Sequence, residues 1–401
     1  MRPSKTASSG PPTIVSPFRR LALLLDGIAP GRPEIDLTVG EPGHAMPGFL
    51  MEALAEAAAA FAKYPPIWGT DELRQAIADW LVRRYPGLGG KIDADRHVLP
   101  LAGSREGLFS AIFPAKQRKP AADRPAVLIP NPFYHTYAAA AGAAEIEAVF
   151  VPAAREAGFL PDLDGLDAAL LDRTVALFLA TPSNPEGAVA DDAYLSSAIG
   201  LARTHDFMLF ADECYSEIYA DAPPPGALEV SAKAHGDLRN VISFNSLSKR
   251  SNLPGLRSGF CAGDPAFLGD YAGLRNVACP QLPLPIQHAS ARIWSDEAHV
   301  AQSRALYAEK LDIADRLLAG HYGYRRPQGG FFLWLDMSGH GGGEAATQTL
   351  WKECGVKVVP GGYLARDTDD GNPGADFVRV ALVADVATTE RGLRRIVETL
   401  Q

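Results

Sequence analysis

Ser243-Phe244-Asn245-Ser246-Leu247-Ser248-Lys249-Arg250-Ser251-Asn252-Leu253-Pro254-Gly255-Leu256-Arg257-Ser258-Gly259-Phe260 follows directly on Val241-Ile242. The apolar run Val241–Phe244 reads as a buried strand, and Lys249 lies just past its exit. A lysine in that position loses solvation, which lowers its pKa and frees the neutral amine to act as a nucleophile. Ser246 and Ser248 precede it in alternation, and Arg257 follows before a second strand-like run, Phe260-Cys261-Ala262. Two hydroxyls and a guanidinium suit a dianionic phosphate.

An amine beside a phosphate clamp is what pyridoxal 5′-phosphate (PLP) requires, because its aldehyde condenses with a lysine while its phosphate anchors the ring. Alone, Ser-x-Ser-Lys is equally a surface turn with a solvated lysine. The remainder of the chain has to weigh between them.

With 401 residues the chain has room for a large core and two domains. A net charge of −9 argues against nucleic-acid and anionic-membrane partners, while leaving room for an anionic substrate held by local arginines. Cys214, Cys261, Cys279 and Cys354 are scattered without a C-x-x-C pair, which points to reduced, mostly buried thiols. No apolar run reaches membrane-spanning length, and the Pro-, Ser- and Gly-rich start lacks a signal-type apolar core. The expectation is a cytoplasmic enzyme.

Met1–Pro12 is expected to be an arm, followed by a short helix from Pro17 to Asp26. Ile35–Val39 alternates like a strand, and a helix should run from Pro47 to about Lys63. Thr70 caps a helix through Arg84, with Asp71 and Glu72 in its first turn. Strands at Val98–Leu101, Ala126–Ile129, Ala148–Val151, Val175–Leu179, Phe207–Ala211 and Val241–Phe244 alternate with helices, including one over Leu163–Leu171. Nearly continuous apolar strands between helices indicate a mainly parallel sheet covered on both faces. Helices dominate after Gly263, the longest from Ala298 to Ala319. A mixed unit follows, with strands at Gly330–Asp336, Val356–Pro360 and Phe377–Leu382. The glycines of Gly339–Gly343 read as a flexible loop.

In such sheets ligands bind at the carboxyl ends of the strands. Ser104 and Arg105 follow one strand and open a helix. Tyr134, Asn184, Asp212 with Tyr215, and Ser246 with Lys249 follow others. Each has a plain reading as a cap or turn former, but a shared sheet edge is harder to explain that way. Asp212 suits a pyridine nitrogen that must stay protonated. Tyr215 and Asn184 suit the ring hydroxyl, and Tyr134 suits the ring face.

These residues carry a resemblance. Tyr64, Gly103-Ser104-Arg105-Glu106-Gly107, Asn131-Pro132-Phe133-Tyr134, Pro182-Ser183-Asn184-Pro185-Glu186-Gly187, Asp212-Glu213-Cys214-Tyr215, Ser246-Leu247-Ser248-Lys249, Arg257 and Phe377-Val378-Arg379 match in order and spacing. The chain resembles the class I/II aminotransferases of PLP fold type I over nearly its whole length. The resemblance implies a mainly parallel, seven-stranded-type central sheet with helices on both faces and a smaller α+β domain. The division would be an arm over 1–30, a large PLP-binding domain over 45–297, and a small domain from 31–44 and 298–401. It further implies that Lys249 is the residue joined to PLP, with Asp212 and Tyr215 beside it. Ser104, Ser246, Arg257 and the Arg105 backbone N–H would hold the phosphate. Tyr64 would reach the phosphate of a second copy, making a homodimer with shared sites. Arg379 would pair with the substrate α-carboxylate, with Gly40 and Asn184 close by.

The segment around Arg250-Ser251-Asn252 looks like that of the bacterial succinyldiaminopimelate transaminases of lysine biosynthesis. This implies glutamate as donor and N-succinyl-2-amino-6-oxopimelate as acceptor. Another aminotransferase specificity (aspartate, alanine or aromatic), or a PLP carbon–sulfur lyase on the same fold, would use the same residues and stays open. Nothing marks the ligand of the distal carboxylate; Arg19, Arg20 and Arg32 are candidates by charge alone. No set of histidines or cysteines suggests a metal.

Overall fold

The computed structural model describes residues 16–120, 123–369 and 371–401. The expectation for Met1–Pro12 lies outside the described residues. The strands, in chain order, are β1 (Ile35–Asp36), β2 (Val98–Leu101), β3 (Ala126–Asn131), β4 (Glu147–Pro152), β5 (Thr174–Ala180), β6 (Met208–Asp212), β7 (Val241–Ser246), β8 (Gly259–Gly263), β9 (Phe332–Asp336), β10 (Val356–Lys357), β11 (Val359–Pro360) and β12 (Phe377–Ala381).

Seven of them form the central sheet in the order β2-β8-β7-β6-β5-β3-β4. Only β8 runs against its neighbours. The inner strands are buried along almost their whole length and mostly apolar because both faces are covered, while the edge strand β4 is only partly buried. Along β6, Leu209 and Ala211 pack into one hydrophobic cluster, while Met208 and Phe210 pack into the cluster on the opposite face. Each fully buried Leu or Phe contributes about 2 kcal/mol, so the alternation fixes the register strongly. A third cluster surrounds the β11-β12-β9 sheet and takes in Ile35, Leu37, Tyr307 and Leu311.

Several local expectations change. The Pro47–Lys63 helix is instead Leu50–Glu56 followed by a 3₁₀ turn over Ala58–Ala62. None of those five side chains is buried, so no packing enforces further α-turns despite the alanine content. The strand at Ile35 stops at Asp36, whose carboxylate accepts from the Thr38 N–H at 2.8 Å and the Thr38 hydroxyl at 2.6 Å. That turn lifts Val39 and Gly40 off the sheet. Val356–Pro360 is two strands in two sheets, β10 pairing with β1 and β11 with β12. The Leu163–Leu171 helix starts only at Ala168, because Asp162 accepts from the Asp164 N–H at 3.1 Å and makes a turn there. Gly342 and Gly343 open a helix to Cys354 rather than a loop. A helix at Ala227–His235 was not anticipated; its left-handed Gly236 stop (φ +78) was the available signal.

Candidate active site

The carboxyl ends of β2, β5, β6 and β7 and the start of the antiparallel β8 lie on one edge of the sheet. They surround a cleft of ≈ 590 Å³ that Gly40, Tyr134 and Arg379 complete from other elements. Ser104, Arg105, Asn184, Asp212, Tyr215, Ser246, Lys249 and Arg257 therefore meet as the sequence predicts. Tyr64 does not; it is 99% exposed, away from this cleft.

The Lys249 amine donates to the Gly40 carbonyl oxygen and lies 5.5 Å from the centre of the Phe331 ring. Burial pulls its pKa down to about 8; the Cys214 thiol opposes the shift and Arg379 adds to it. About a tenth of such an amine is neutral at pH 7, against less than a thousandth for an ordinary lysine.

Asp212 is buried at the end of β6. Its Oδ2 accepts from the Tyr137 hydroxyl at 2.7 Å and its Oδ1 from the Cys214 N–H at 3.3 Å. Burial pushes its carboxyl above the usual range, and those hydrogen bonds pull it back. No lysine or arginine among the described residues forms an ion pair with it. A cationic ring N–H delivered here would meet the carboxylate it needs.

The opposite end of the cleft is an anion cradle. Ser246 Oγ accepts from the Ser248 N–H at 3.1 Å and bonds Ser248 Oγ at 2.9 Å. Ser104 Oγ accepts from the Cys214 thiol at 3.1 Å. Arg257 adopts the left-handed region at φ +57 and, among the described residues, donates only to the Pro254 carbonyl, at 2.8 Å. A Cβ on Gly103 (φ +89) would sit 2.9 Å from the Arg257 guanidinium carbon, so only glycine lets that group reach the cradle. Three hydroxyls and a guanidinium without a carboxylate fit a phosphate.

Arg379 is buried on β12, yet it holds no carboxylate. It donates to Asn184 Oδ1 at 3.1 Å and the Thr38 carbonyl at 2.7 Å, and its Nε has no partner among the described residues. Burial pulls it down to about 10, against the pull of Tyr215. A buried guanidinium with an orphaned N–H is costly until an anion reaches it. Tyr215 stands edge-on to Phe331 at 5.3 Å, and burial pushes its phenol well up.

Sequence reasoning missed Tyr137, which holds Asp212 and stacks on Phe178 at 4.5 Å. The signal was its spacing, one helical turn after Tyr134. The Arg105 side chain also lines the cleft, with its Nε donating to the Tyr134 hydroxyl at 2.5 Å. The arginines singled out by charge do not line it: Arg20 covers the Tyr363 ring at 3.8 Å, and Arg32 pairs with Glu398 at 3.8 Å. Among the described residues no group of three or more His, Cys, Asp or Glu is placed to hold a metal, and no helix is long and apolar enough to cross a membrane.

A partly neutral lysine, a lone buried carboxylate and an open phosphate cradle on one sheet edge define a site for an aldehyde cofactor bearing a phosphate. Residues 32–400 match the aminotransferase class I and II family, and the chain belongs to it. It is thus a PLP-dependent aminotransferase of fold type I, acting on amino and oxo acids. An LL-diaminopimelate aminotransferase of Nitratidesulfovibrio vulgaris (strain Hildenborough) is 32% identical over 369 residues, 90% of each chain. A 4-dedimethylamino-4-oxo-anhydrotetracycline transaminase of Streptomyces rimosus is 34% identical over 354 residues, 87% of this chain and 89% of its own. A crystal structure of an aminotransferase from Neisseria meningitidis matches with a TM-score of 0.91 and 38% identity, covering 96% of this chain and 98% of that one. A probable N-succinyldiaminopimelate aminotransferase from Thermus thermophilus matches with a TM-score of 0.83 and 25% identity, covering 96% of this chain and 100% of its own.

Proposed function

We propose that this enzyme moves an amino group from glutamate to N-succinyl-2-amino-6-oxopimelate, acting in diaminopimelate and lysine biosynthesis. One observation carries the choice of acceptor. Among the described residues that line the cleft there are, apart from Arg257 in the cradle, two guanidiniums, those of Arg379 and Arg105, and one carboxylate, that of Asp212. Two cationic anchors suit a substrate that is anionic at both ends. The relatives from N. vulgaris are named for LL-diaminopimelate; the oxo acid that yields it, 2-amino-6-oxopimelate, carries a free ammonium as well as a carboxylate at its distal end. Among the cleft residues of this chain no second carboxylate is available to receive that ammonium, which favours the acylated substrate.

When bound, PLP supplies the electron sink for the carbanion formed at the amino-acid Cα. Lys249 would hold the cofactor through its amine and, when that amine is free, would move a proton at Cα. Asp212, oriented by Tyr137, holds the proton on the pyridine nitrogen. Tyr134 would cover the ring, and Tyr215 and Asn184 would serve its hydroxyl. Ser104, the Arg105 N–H, Ser246 and Arg257 bind the phosphate. Arg379 binds the α-carboxylate through its free Nε, beside Gly40.

The active unit is a homodimer in which Tyr64 reaches the phosphate of the second copy. Support comes from Tyr64 together with Met51 and Phe61, 63% and 61% exposed, which leave apolar surface on one short segment. The large domain spans 45–297, and 31–44 with 298–401 form the small one, since Ile35 and Leu37 share the hydrophobic cluster of β9 and β12. Four unpaired thiols support a reducing, cytoplasmic setting.

The test is a split half-reaction followed by visible absorption. Glutamate should bleach the cofactor band, and the succinylated acceptor should restore it faster than 2-amino-6-oxopimelate, pyruvate, oxaloacetate or an aromatic oxo acid. Fastest recovery with the unsuccinylated compound favours the LL-diaminopimelate reading. No bleaching by glutamate removes the donor assignment and brings forward a carbon–sulfur lyase, tested with cystathionine.

A further inference from the structure

Lys310 is fully buried on the long helix Ala298–Leu318 and has no carboxylate within ion-pair distance among the described residues. The nearest acidic influences are Asp385 and Glu309. A buried lysine without a counter-ion is rare and expensive, so its hydrogen bonds indicate what it is kept for. Its Nζ lies 2.8 Å from His44 Nε2 and donates to the Leu382 carbonyl at 3.0 Å. As an ammonium it can only donate, so His44 Nε2 accepts and Nδ1 carries the proton. Nδ1 then donates to Ser303 Oγ at 3.0 Å, Ser303 to Asn252 Oδ1 at 3.4 Å, and Asn252 Nδ2 to the Ala45 carbonyl at 3.1 Å. Every bond in this chain has a defined direction.

Ser303, Tyr307 and Lys310 are all buried and lie at one-turn spacing on a single helix face. The Tyr307 ring packs on His44 at 4.3 Å and stacks on Phe331 at 5.4 Å. Phe331 is the ring beside the Lys249 amine. The segment Thr38–Ala45 is thus a strap fastened by four side chains: Arg379 at the Thr38 carbonyl, Lys249 at Gly40, Lys310 at His44 and Asn252 at Ala45. Lys310 also holds Leu382, three residues beyond Arg379 and one past the end of β12.

We propose that Lys310 and His44 are positioning residues: they tie the Thr38–Ala45 strap to the strand end that carries Arg379, and so hold the carbonyls of Thr38 and Gly40 in register with Arg379 and Lys249. This rests on the reading of Arg379 and Lys249 given above. Neither Lys310 nor His44 lines the cleft. Burial and the nearby ammonium push His44 down to about 4, and burial pulls Lys310 down to about 8, so below about pH 8 the Lys310 ammonium donates to a neutral His44.

The test uses the holoenzyme of Lys310→Met, His44→Leu and His44→Gln. Glutamine can accept from Lys310 and donate to Ser303, so His44→Gln should stay near wild type. Lys310→Met and His44→Leu should raise KM for both glutamate and the oxo acid about tenfold, as expected for losing one charge-assisted hydrogen bond, with a smaller change in kcat. They should also speed amide hydrogen exchange across 38–45 and move the pH at which the bound cofactor's visible band titrates. A loss of Tm with KM, exchange and titration unchanged would show a merely structural role and overturn the proposal. If Lys310→Met does not fold, the contrast between His44→Leu and His44→Gln decides the matter by the same readouts. Arg379→Lys separates the two readings: unchanged donor KM there removes the carboxylate assignment, whereas fast exchange of 38–45 in His44→Leu still supports the strap.

Discussion

Two arginines that the sequence places in similar company end in opposite surroundings. Arg250, next to Lys249, is 3% exposed; it pairs with Glu297 at 2.7 Å, donates to the carbonyls of Ile293 and Asp296, and lies 4.9 Å from the Trp294 ring. Its neighbours are spent in the same way: Ser251 bonds His299 at 2.8 Å, and Asn252 holds Ala45. None of the three lines the cleft. Arg105, at the start of the helix Ser104–Ser110, does line it, and among the described residues its side chain bonds only the Tyr134 hydroxyl. Arg250 locks elements together through its two terminal nitrogens, its Nε being buried away from the cleft, whereas an arginine with free donors at a cleft recognises an anion. The triplet that suggests the substrate therefore acts on the scaffold, and the cleft's own chemistry has to carry the specificity.

Breaking this contrast begins at the lysine itself. Lys249→Ala should lower turnover by at least about 10³-fold and abolish cofactor trapping by borohydride; surviving trapped cofactor would reject the assignment. Arg379→Ala should come next, raising donor KM about 10²-fold while cofactor affinity, read by fluorescence, changes little. An unaltered donor KM moves the carboxylate site elsewhere. Arg105→Ala sharpens the contrast: KM for the succinylated acceptor should rise about tenfold, with pyruvate hardly affected and Tm unchanged. Equal effects on both acceptors would mean that Arg105 serves the cofactor instead. Arg250→Ala should do the reverse, costing about 2–3 kcal/mol in urea unfolding because Glu297 and two carbonyls lose their donor. Its acceptor preference should not move.

The smallest effect is a pH dependence of the cofactor-free chain. Lys249 is held near 8 in the folded protein, below its ordinary value. The unfolded chain then binds more protons between about pH 8 and 10.5, so this lysine's penalty is full below 8 and fades as pH rises through that window. Lys249→Met should stabilise the cofactor-free protein by about 1–3 kcal/mol at pH 7 and by little at pH 10. Equal gains at both pH values would mean that burial does not depress the amine.

The sequence by itself determined the sheet, its parallel sense and the residues at its edge. A buried strand writes its pattern within a handful of residues, and the side chains just past its carboxyl end are fixed by their place in the chain. Ser246, Lys249, Asp212, Asn184 and Ser104 are all legible for that reason. Thr70 as a cap is equally local, accepting from the Leu73 N–H at 3.3 Å. Tertiary structure alone decided what no short window contains. Tyr137 finds Asp212 across 75 residues, and Lys310 finds His44 across 266. The same holds for which arginines keep donors open to the cleft: Arg250 and Arg105 are one residue type with one charge, and packing takes the first to carbonyls and a carboxylate away from the cleft and leaves the second lining it.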